Sequence, residues 1–101
     1  MGSMDGRTVV ITGGNAGIGK ETAVALAADG ARVIFTSRDA GRGAAALAEI
    51  TERSGSSTVE VMALDLSSLA SVRTFSDQVL DATERIDVLV NNAGQIGRAH
   101  V

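Results

Sequence analysis

Four stretches of this chain combine residue types that can do chemistry. After Thr12 runs Gly13-Gly14-Asn15-Ala16-Gly17-Ile18-Gly19. Glycines at this density let a backbone turn sharply and approach a phosphate closely. A helix starting near Gly17 would also direct its free N–H groups at phosphate oxygens. Ser37-Arg38 sets an uncharged residue before a guanidinium, whose planar fork of donors matches a phosphate. Asp65-Leu66 places a carboxylate acceptor beside an apolar side chain, and Asn91-Asn92-Ala93-Gly94 is a second loop rich in Asn and Gly. No catalytic acid–base pair and no metal-ligating set is expected. The chain has no Cys and no Tyr, Lys20 is its only Lys, and His100 has no carboxylate or metal-ligand companion at useful spacing. Arg42, Arg53, Arg73 and Arg98 are scattered and form no basic stripe.

The glycine loop admits two chemical readings. Its spacing, G-x-x-x-G-x-G, departs from the G-x-G-x-x-G of the general dinucleotide fingerprint. Gly14, Gly19 and Lys20 match most of a nucleoside-triphosphate P-loop, and Asp65 at the end of an apolar run could imitate its second carboxylate. A P-loop, however, needs Ser or Thr after its Lys to hold magnesium. Here that position is Glu21, which would repel phosphates, and Thr22 comes one helical step late. The loop is therefore read as a dinucleotide site in preference to an NTPase.

The elements that would position these loops recur in alternation. Arg7–Thr12, Ala31–Ser37, Thr58–Leu64 and Ile86–Val90 are short, β-branched runs of strand character. Helical periodicity fills the intervals. Gly17–Asp29 carries Ile18, Thr22, Ala25 and Leu26 on one stripe, with Gly30 beyond its end. Asp39 caps a second helix that passes Leu47 and Ile50 and closes at Gly55. Ser67 or Ser68 caps a third, with Leu69, Val72, Phe75, Val79 and Leu80 as its apolar face. The order β-α-β-α-β-α-β predicts an α/β fold of the doubly wound, Rossmann type, with a parallel sheet in strand order 3-2-1-4. The switch point then falls between the first and fourth strands, which brings the loops after Thr12 and Val90 side by side.

Taken together, the loop after Thr12, Asp65-Leu66 after the third strand and Asn91-Asn92-Ala93-Gly94 after the fourth resemble the short-chain dehydrogenase/reductase family over Asp5 to Gly94. The resemblance implies a hydride-transfer oxidoreductase acting on an alcohol or carbonyl. It assigns Gly13, Asn15, Gly17, Ile18 and Gly19 to the cofactor loop. It assigns Asp65 to the adenine amino group, with Leu66 beside the ring, and Asn91, Ala93 and Gly94 to the ribose region. Asp65 could equally cap the third helix, and both roles can coexist. At Ser37, a carboxylate would accept hydrogen bonds from the adenosine ribose and repel a 2′-phosphate. Ser37-Arg38 therefore implies NADP(H) as the preferred cofactor, with NAD(H) still admissible. Arg38 could instead be solvated or paired with Asp39. Leu64 to Phe75 (LDLSSLASVRTF) is similar to the retinol-dehydrogenase-like branch, which suggests a lipophilic substrate, although core and surface spacing alone explains the same residues.

The Tyr and Lys that serve as the family's proton relay have no counterpart here, so the chain reads as 1–94, a partial cofactor-binding domain, with the catalytic half of a parent enzyme absent. A stand-alone dinucleotide-binding module is the alternative. Residues 95–101, QIGRAHV, continue no pattern of the fold. A common sequencing-library adapter, read as ATC-GGA-AGA-GCA-CAC-GTC-TGA, encodes Ile-Gly-Arg-Ala-His-Val and a stop, so this tail is expected to be non-native. The first three residues fit either a cloning scar or an upstream start. A net charge of -3 and only two aromatic residues argue against a nucleic-acid partner. No apolar run reaches membrane-spanning length, so the default expectation is a cytoplasmic protein without a membrane partner. The parent is expected to be a homo-oligomer.

Overall fold

The computed structural model describes residues 4–14 and 17–91. Four strands alternate with three helices: β1 (Thr8–Thr12), α1 (Gly17–Ala28), β2 (Arg32–Ser37), α2 (Ala40–Ser54), β3 (Val59–Ala63), α3 (Leu69–Ala82) and β4 (Val88–Asn91). The strands form one parallel sheet in the order β3-β2-β1-β4, the order expected from the alternation. In the central register Val10 of β1 lies between Ile34 of β2 and Leu89 of β4.

Each strand starts one or two residues later than expected, the most at β4, which also runs one residue further, to Asn91. At the start of β4 the Thr8 amide donates to the Asp87 carboxylate (2.8 Å), while the Asp87 amide donates to the Thr8 carbonyl (2.8 Å). A side-chain acceptor thus replaces the ladder partner, and pairing of the regular kind begins at Val88. Arg85 balances the charge of this largely buried carboxylate at 2.9 Å.

Alternation of side chains along the strands divides the core between the two faces of the sheet. Val9, Ile11, Val33 and Phe35 point to one face, where Ala23 and Ala27 of α1 and Ala46 and Ile50 of α2 cover them. Val10 and Ile34 point to the other, against Val79 of α3, with Met62 and Phe75 packed around them. The helix caps follow the sequence closely. Asp39 accepts from the Arg42 amide, and Gly55 ends α2 in the left-handed region at φ 72°. Ser68, the later of the two candidate serines, caps α3 by accepting from the Ser71 amide. Asp65 is therefore not the cap.

Two buried faces differ from expectation. Along α1 the buried residues are Gly19, Ala23 and Ala27, while Ile18 is 75% exposed and Ala25 faces solvent. Small side chains four apart let the helix axis lie close to the sheet, Leu26 of the expected stripe packs at the edge of the core, and Ile18 is left outside. On α3 only Val79 is buried, with Leu69 and Leu80 exposed at 65% and 73%. Among the described residues no other element lies over that side of the helix to cover them.

Candidate functional site

The loop after β1 is pinned to the end of β2. Gly13 has φ 76°, a conformation that suits glycine, and its amide donates to the Thr36 hydroxyl at 2.9 Å. The Gly14 amide donates to the Thr36 carbonyl at 3.2 Å. A Cβ on Gly14 would lie 2.6 Å from the Phe35 Cβ, so no side chain fits between this loop and the core. Gly17, at φ 60°, then opens α1, and Gly19 packs inward.

Ser37 ends β2 with its hydroxyl turned into its own turn. It donates to the Asp39 carbonyl (2.8 Å) and accepts from the Asp39 amide (3.3 Å). Arg38 emerges beside it, exposed. Asp39 uses its carboxylate to cap α2, and no ion pair with Arg38 forms among the described residues. Across the opening, the chain leaving β3 carries Asp65 and Leu66. Asp65 Oδ1 accepts from the Ser67 hydroxyl (2.6 Å) and amide (3.0 Å), while its own amide donates to the Ser71 hydroxyl (2.8 Å). The Ser67 hydroxyl, then the Ser67 amide, hold the Asp65 carboxyl below its usual range. Partial desolvation opposes them, and the charge of Arg38 adds a further lowering. Asp65 Oδ2 makes no hydrogen bond among the described residues, which leaves it open as an acceptor.

Gly13, Ser37, Arg38, Asp65 and Leu66 border one cavity of about 410 Å³. Residues remote in sequence thus meet at the carboxyl ends of β1, β2 and β3, the edge of an open α/β sheet where ligands bind. Gly17 and Ile18 border a separate, more open hollow of about 620 Å³ along α1. Asn91 sits at the end of β4 beside Thr12, whose hydroxyl donates to the Asn91 side-chain oxygen at 3.1 Å. The loops after β1 and β4 therefore start next to each other, as the strand order requires. Asn15, Ala93 and Gly94 lie outside the described residues.

Sequence reasoning missed three participants. Thr36 anchors the glycine loop, and a polar residue buried directly after the apolar run Val33–Phe35 was the available signal. Arg42 shares the cavity wall with Arg38, and its place in the first turn of α2, four residues after Arg38, could have indicated that. Ser71 fixes the Asp65 backbone through a contact six residues along the chain, which no local pattern reveals. Lys20 ion-pairs with Glu49 of α2 at 3.1 Å and does not border the Asp65 cavity, against the P-loop arrangement.

The model of the short chain dehydrogenase family matches residues 7–101. Among curated proteins, human dehydrogenase/reductase SDR family member 13 is 51% identical over 94 residues, covering 93% of this chain and 25% of that protein. Mouse retinol dehydrogenase 12 is 47% identical over 89 residues, covering 88% of this chain and 28% of that protein. Among solved structures, the RhlG/NADP active-site complex of Pseudomonas aeruginosa superposes with a TM-score of 0.80 at 34% identity, over 89% of this chain and 35% of the other. Menthone neomenthol reductase from Mentha piperita gives 0.77 at 37% identity, over 85% and 31%. The chain thus spans about a quarter of the length of the curated relatives it matches. In its sheet order, in the motifs that end its strands and in its likeness over nearly its whole length, the chain belongs to the short-chain dehydrogenase/reductase family.

Proposed function

We propose that this chain is the cofactor-binding, N-terminal part of an NADP(H)-dependent oxidoreductase acting on an alcohol or carbonyl substrate. One observation carries the reading: an exposed guanidinium, Arg38, stands at the end of β2 on the wall of the cavity that Gly13, Asp65 and Leu66 also border. The residues fit a dinucleotide. Gly14 brings backbone within van der Waals reach of the core where a side chain would be excluded. Asp65 keeps one carboxylate oxygen for an amino donor, and Ser37 adds no charge that would repel a 2′-phosphate.

When bound, the nicotinamide ring supplies or accepts a hydride. This chain's residues would hold the remainder of the cofactor. Gly13, Asn15, Gly17, Ile18 and Gly19 would cradle the pyrophosphate, Asp65 and Leu66 would take the adenine, and Asn91, Ala93 and Gly94 would line the ribose region. Arg38 would hold the 2′-phosphate. No proton relay is available within the chain, because it has no Tyr and its only Lys is bound to Glu49. The chain alone is therefore inactive, and turnover belongs to a longer parent protein. A lipophilic substrate for that parent rests on the residues Leu64 to Phe75 and on the retinol dehydrogenases among the relatives. We further assign the parent to the cytoplasm as a homo-oligomer with no nucleic-acid or membrane partner.

Titration of the purified chain with NADPH, NADH and MgATP tests the reading. NADPH should bind most tightly and MgATP not measurably. Loss of a charge-assisted contact is worth about 1.5–3 kcal/mol, so Arg38→Ala should reduce the NADPH advantage by roughly tenfold or more. Equal dissociation constants for NADH and NADPH in the unmutated chain would overturn the cofactor assignment.

A further inference from the structure

We propose that Thr36 is a positioning residue for the pyrophosphate. Its hydroxyl and carbonyl hold the glycine loop in the shape that would receive this group, and they tie the loop to the turn that carries Arg38. The inference rests on the dinucleotide reading above and extends it to a buried residue of β2.

The chemistry of β2 is the starting point. Val33, Ile34 and Phe35 are wholly buried, and Thr36 follows them at 2% exposure. A hydroxyl taken out of water at such a place is costly unless it is hydrogen-bonded. Valine is branched in the same way, suits a strand equally and carries no such cost, so packing alone would favour it. The hydroxyl is used: it accepts from the Gly13 amide at 2.9 Å. The Thr36 carbonyl accepts from the Gly14 amide at 3.2 Å. Two consecutive amides of the loop thus end on one residue of the neighbouring strand, just past Ile11 and Phe35, the last pair of the β1–β2 ladder.

Conformational freedom makes this anchor matter. Gly13 has φ 76°, and glycine visits that region about as readily as its mirror image, so the residue itself does not select the observed turn. The selection comes from β2. Successive strand residues point to opposite faces of the sheet, and here both reach the loop. Phe35 closes on Gly14, where a Cβ would lie 2.6 Å from the Phe35 Cβ, and Thr36 binds Gly13. A loop fixed before the ligand arrives loses less conformational entropy when it binds.

The same residue joins two ends of the site. Ser37 and Arg38 follow Thr36 directly. The Ser37 carbonyl accepts from the Leu64 amide at 3.1 Å while its hydroxyl closes the turn onto the Asp39 carbonyl. Gly13, Thr36, Arg38 and Asp65 all border one cavity. The loop for the pyrophosphate and the guanidinium for the 2′-phosphate therefore depend on adjoining peptide units of one strand end.

The test compares the unmutated chain with Thr36→Val, Thr36→Ser and Thr36→Cys. The ligands are NADPH, NADH and adenosine 2′-monophosphate, which has the adenine and the 2′-phosphate but no pyrophosphate. Thr36→Val should weaken NADPH and NADH by the same factor, roughly tenfold, the loss expected when a buried donor is deprived of its acceptor. Adenosine 2′-monophosphate should bind almost unchanged. Thr36→Ser keeps the acceptor and should restore most of the affinity. Thr36→Cys offers only a weak acceptor, should behave as Thr36→Val does, and serves in its place if the valine variant does not fold. Hydrogen exchange of the Gly13 amide should be slow in the unmutated chain and faster in Thr36→Val. An equal loss for all three ligands, or a loss that Thr36→Ser does not recover, would mean that Thr36 serves the fold alone, and the inference would be wrong. Unchanged binding of both dinucleotides by Thr36→Val would overturn it as well. Equal affinities for NADPH and NADH in the unmutated chain would end the NADP(H) preference, while the same variants still decide the part of Thr36. If the unmutated chain binds neither dinucleotide, both fail.

Discussion

On one face of the sheet, α1 and α2 together bury Ala23, Ala27, Ala46 and Ile50 against five strand residues; on the other, α3 alone sets Val79 against Val10 and Ile34. Leu69, Leu80 and Leu89 remain exposed around α3 and β4. The candidate site straddles this difference. Its Arg38 and Arg42 wall hangs from the junction of β2 and α2, where Phe35, Thr36 and Ser37 are buried. Its Asp65 wall belongs to the chain entering α3, where packing is sparse and Ser67 and Ser71 fix the geometry through hydrogen bonds. One wall is positioned by the core, the other by local polar contacts.

The largest effect should come from the packed face. Phe35 is wholly buried, and truncating a buried Phe to Ala costs about 3–5 kcal/mol through lost transfer energy and the cavity left behind. Phe75, half-buried at the edge of the opposite core, should cost less than about half of that. Urea unfolding of Phe35→Ala and Phe75→Ala gives both values, and equal losses would remove the asymmetry on which this comparison stands. Phe35→Ala should also loosen the glycine loop, because Gly14 rests on the Phe35 Cβ region.

A smaller effect is expected at the wall held by polar contacts. Ser71→Ala removes the acceptor of the Asp65 amide at 2.8 Å and should cost about 1 kcal/mol, the net worth of one such bond. Because Asp65 faces the adenine end in the proposed complex, NADH and NADPH should weaken together and by similar factors. Isothermal titration separates this from Arg38→Ala, which should act on NADPH selectively. A Ser71→Ala chain that altered the NADPH:NADH ratio would mean that the two walls are coupled.

Strand order, helix order and the residues at strand ends were legible because each rests on a local rule. Asp39 and Gly55 bracket α2 by capping chemistry, and the β-branched runs ended by Gly or Asn mark β1 and β4. Burial was less legible, because it depends on what lies opposite. Ile18 has the hydrophobicity of a core residue, yet Gly19, Ala23 and Ala27 make the fully buried line of α1, with Val24 and Leu26 packed at its edges. Leu69 and Leu80 have helical spacing but no covering element among the described residues. In the site, Gly13, Ser37, Arg38, Asp65 and Leu66 could be named from strand ends alone. Thr36, Arg42 and Ser71 could not, because their parts depend on β2, α2 and α3 converging at one edge of the sheet.

The smallest expected effect concerns the ion pairs that join α1 to α2 on the packed side. Arg53 contacts Glu21 at 2.7 Å and Glu49 at 2.9 Å, and Lys20 contacts Glu49 at 3.1 Å. The hydrogen bond from Arg53 holds Glu21 below the usual carboxylate range; those from Lys20 and then Arg53 do the same for Glu49. Both groups are lowered in the folded chain, so the unfolded chain binds the extra protons as pH falls. Their contribution is complete above the ordinary Glu value of about 4.3 and disappears as pH drops through the lowered folded values. The pairs are exposed, so the contribution should be modest and screened by salt, where the Debye length shortens to about 3 Å at 1 M. Arg53→Met should therefore be slightly less stable than the unmutated chain at neutral pH and low salt. That difference should shrink both in acid and in 1 M salt. Asp65 provides the contrast across the site, because its lowering comes first from a neutral hydroxyl and should respond less to salt. A stability gap for Arg53→Met that persisted unchanged in acid would show that Arg53 acts through packing of its side-chain stem, and the two sides of the sheet would then differ in packing alone.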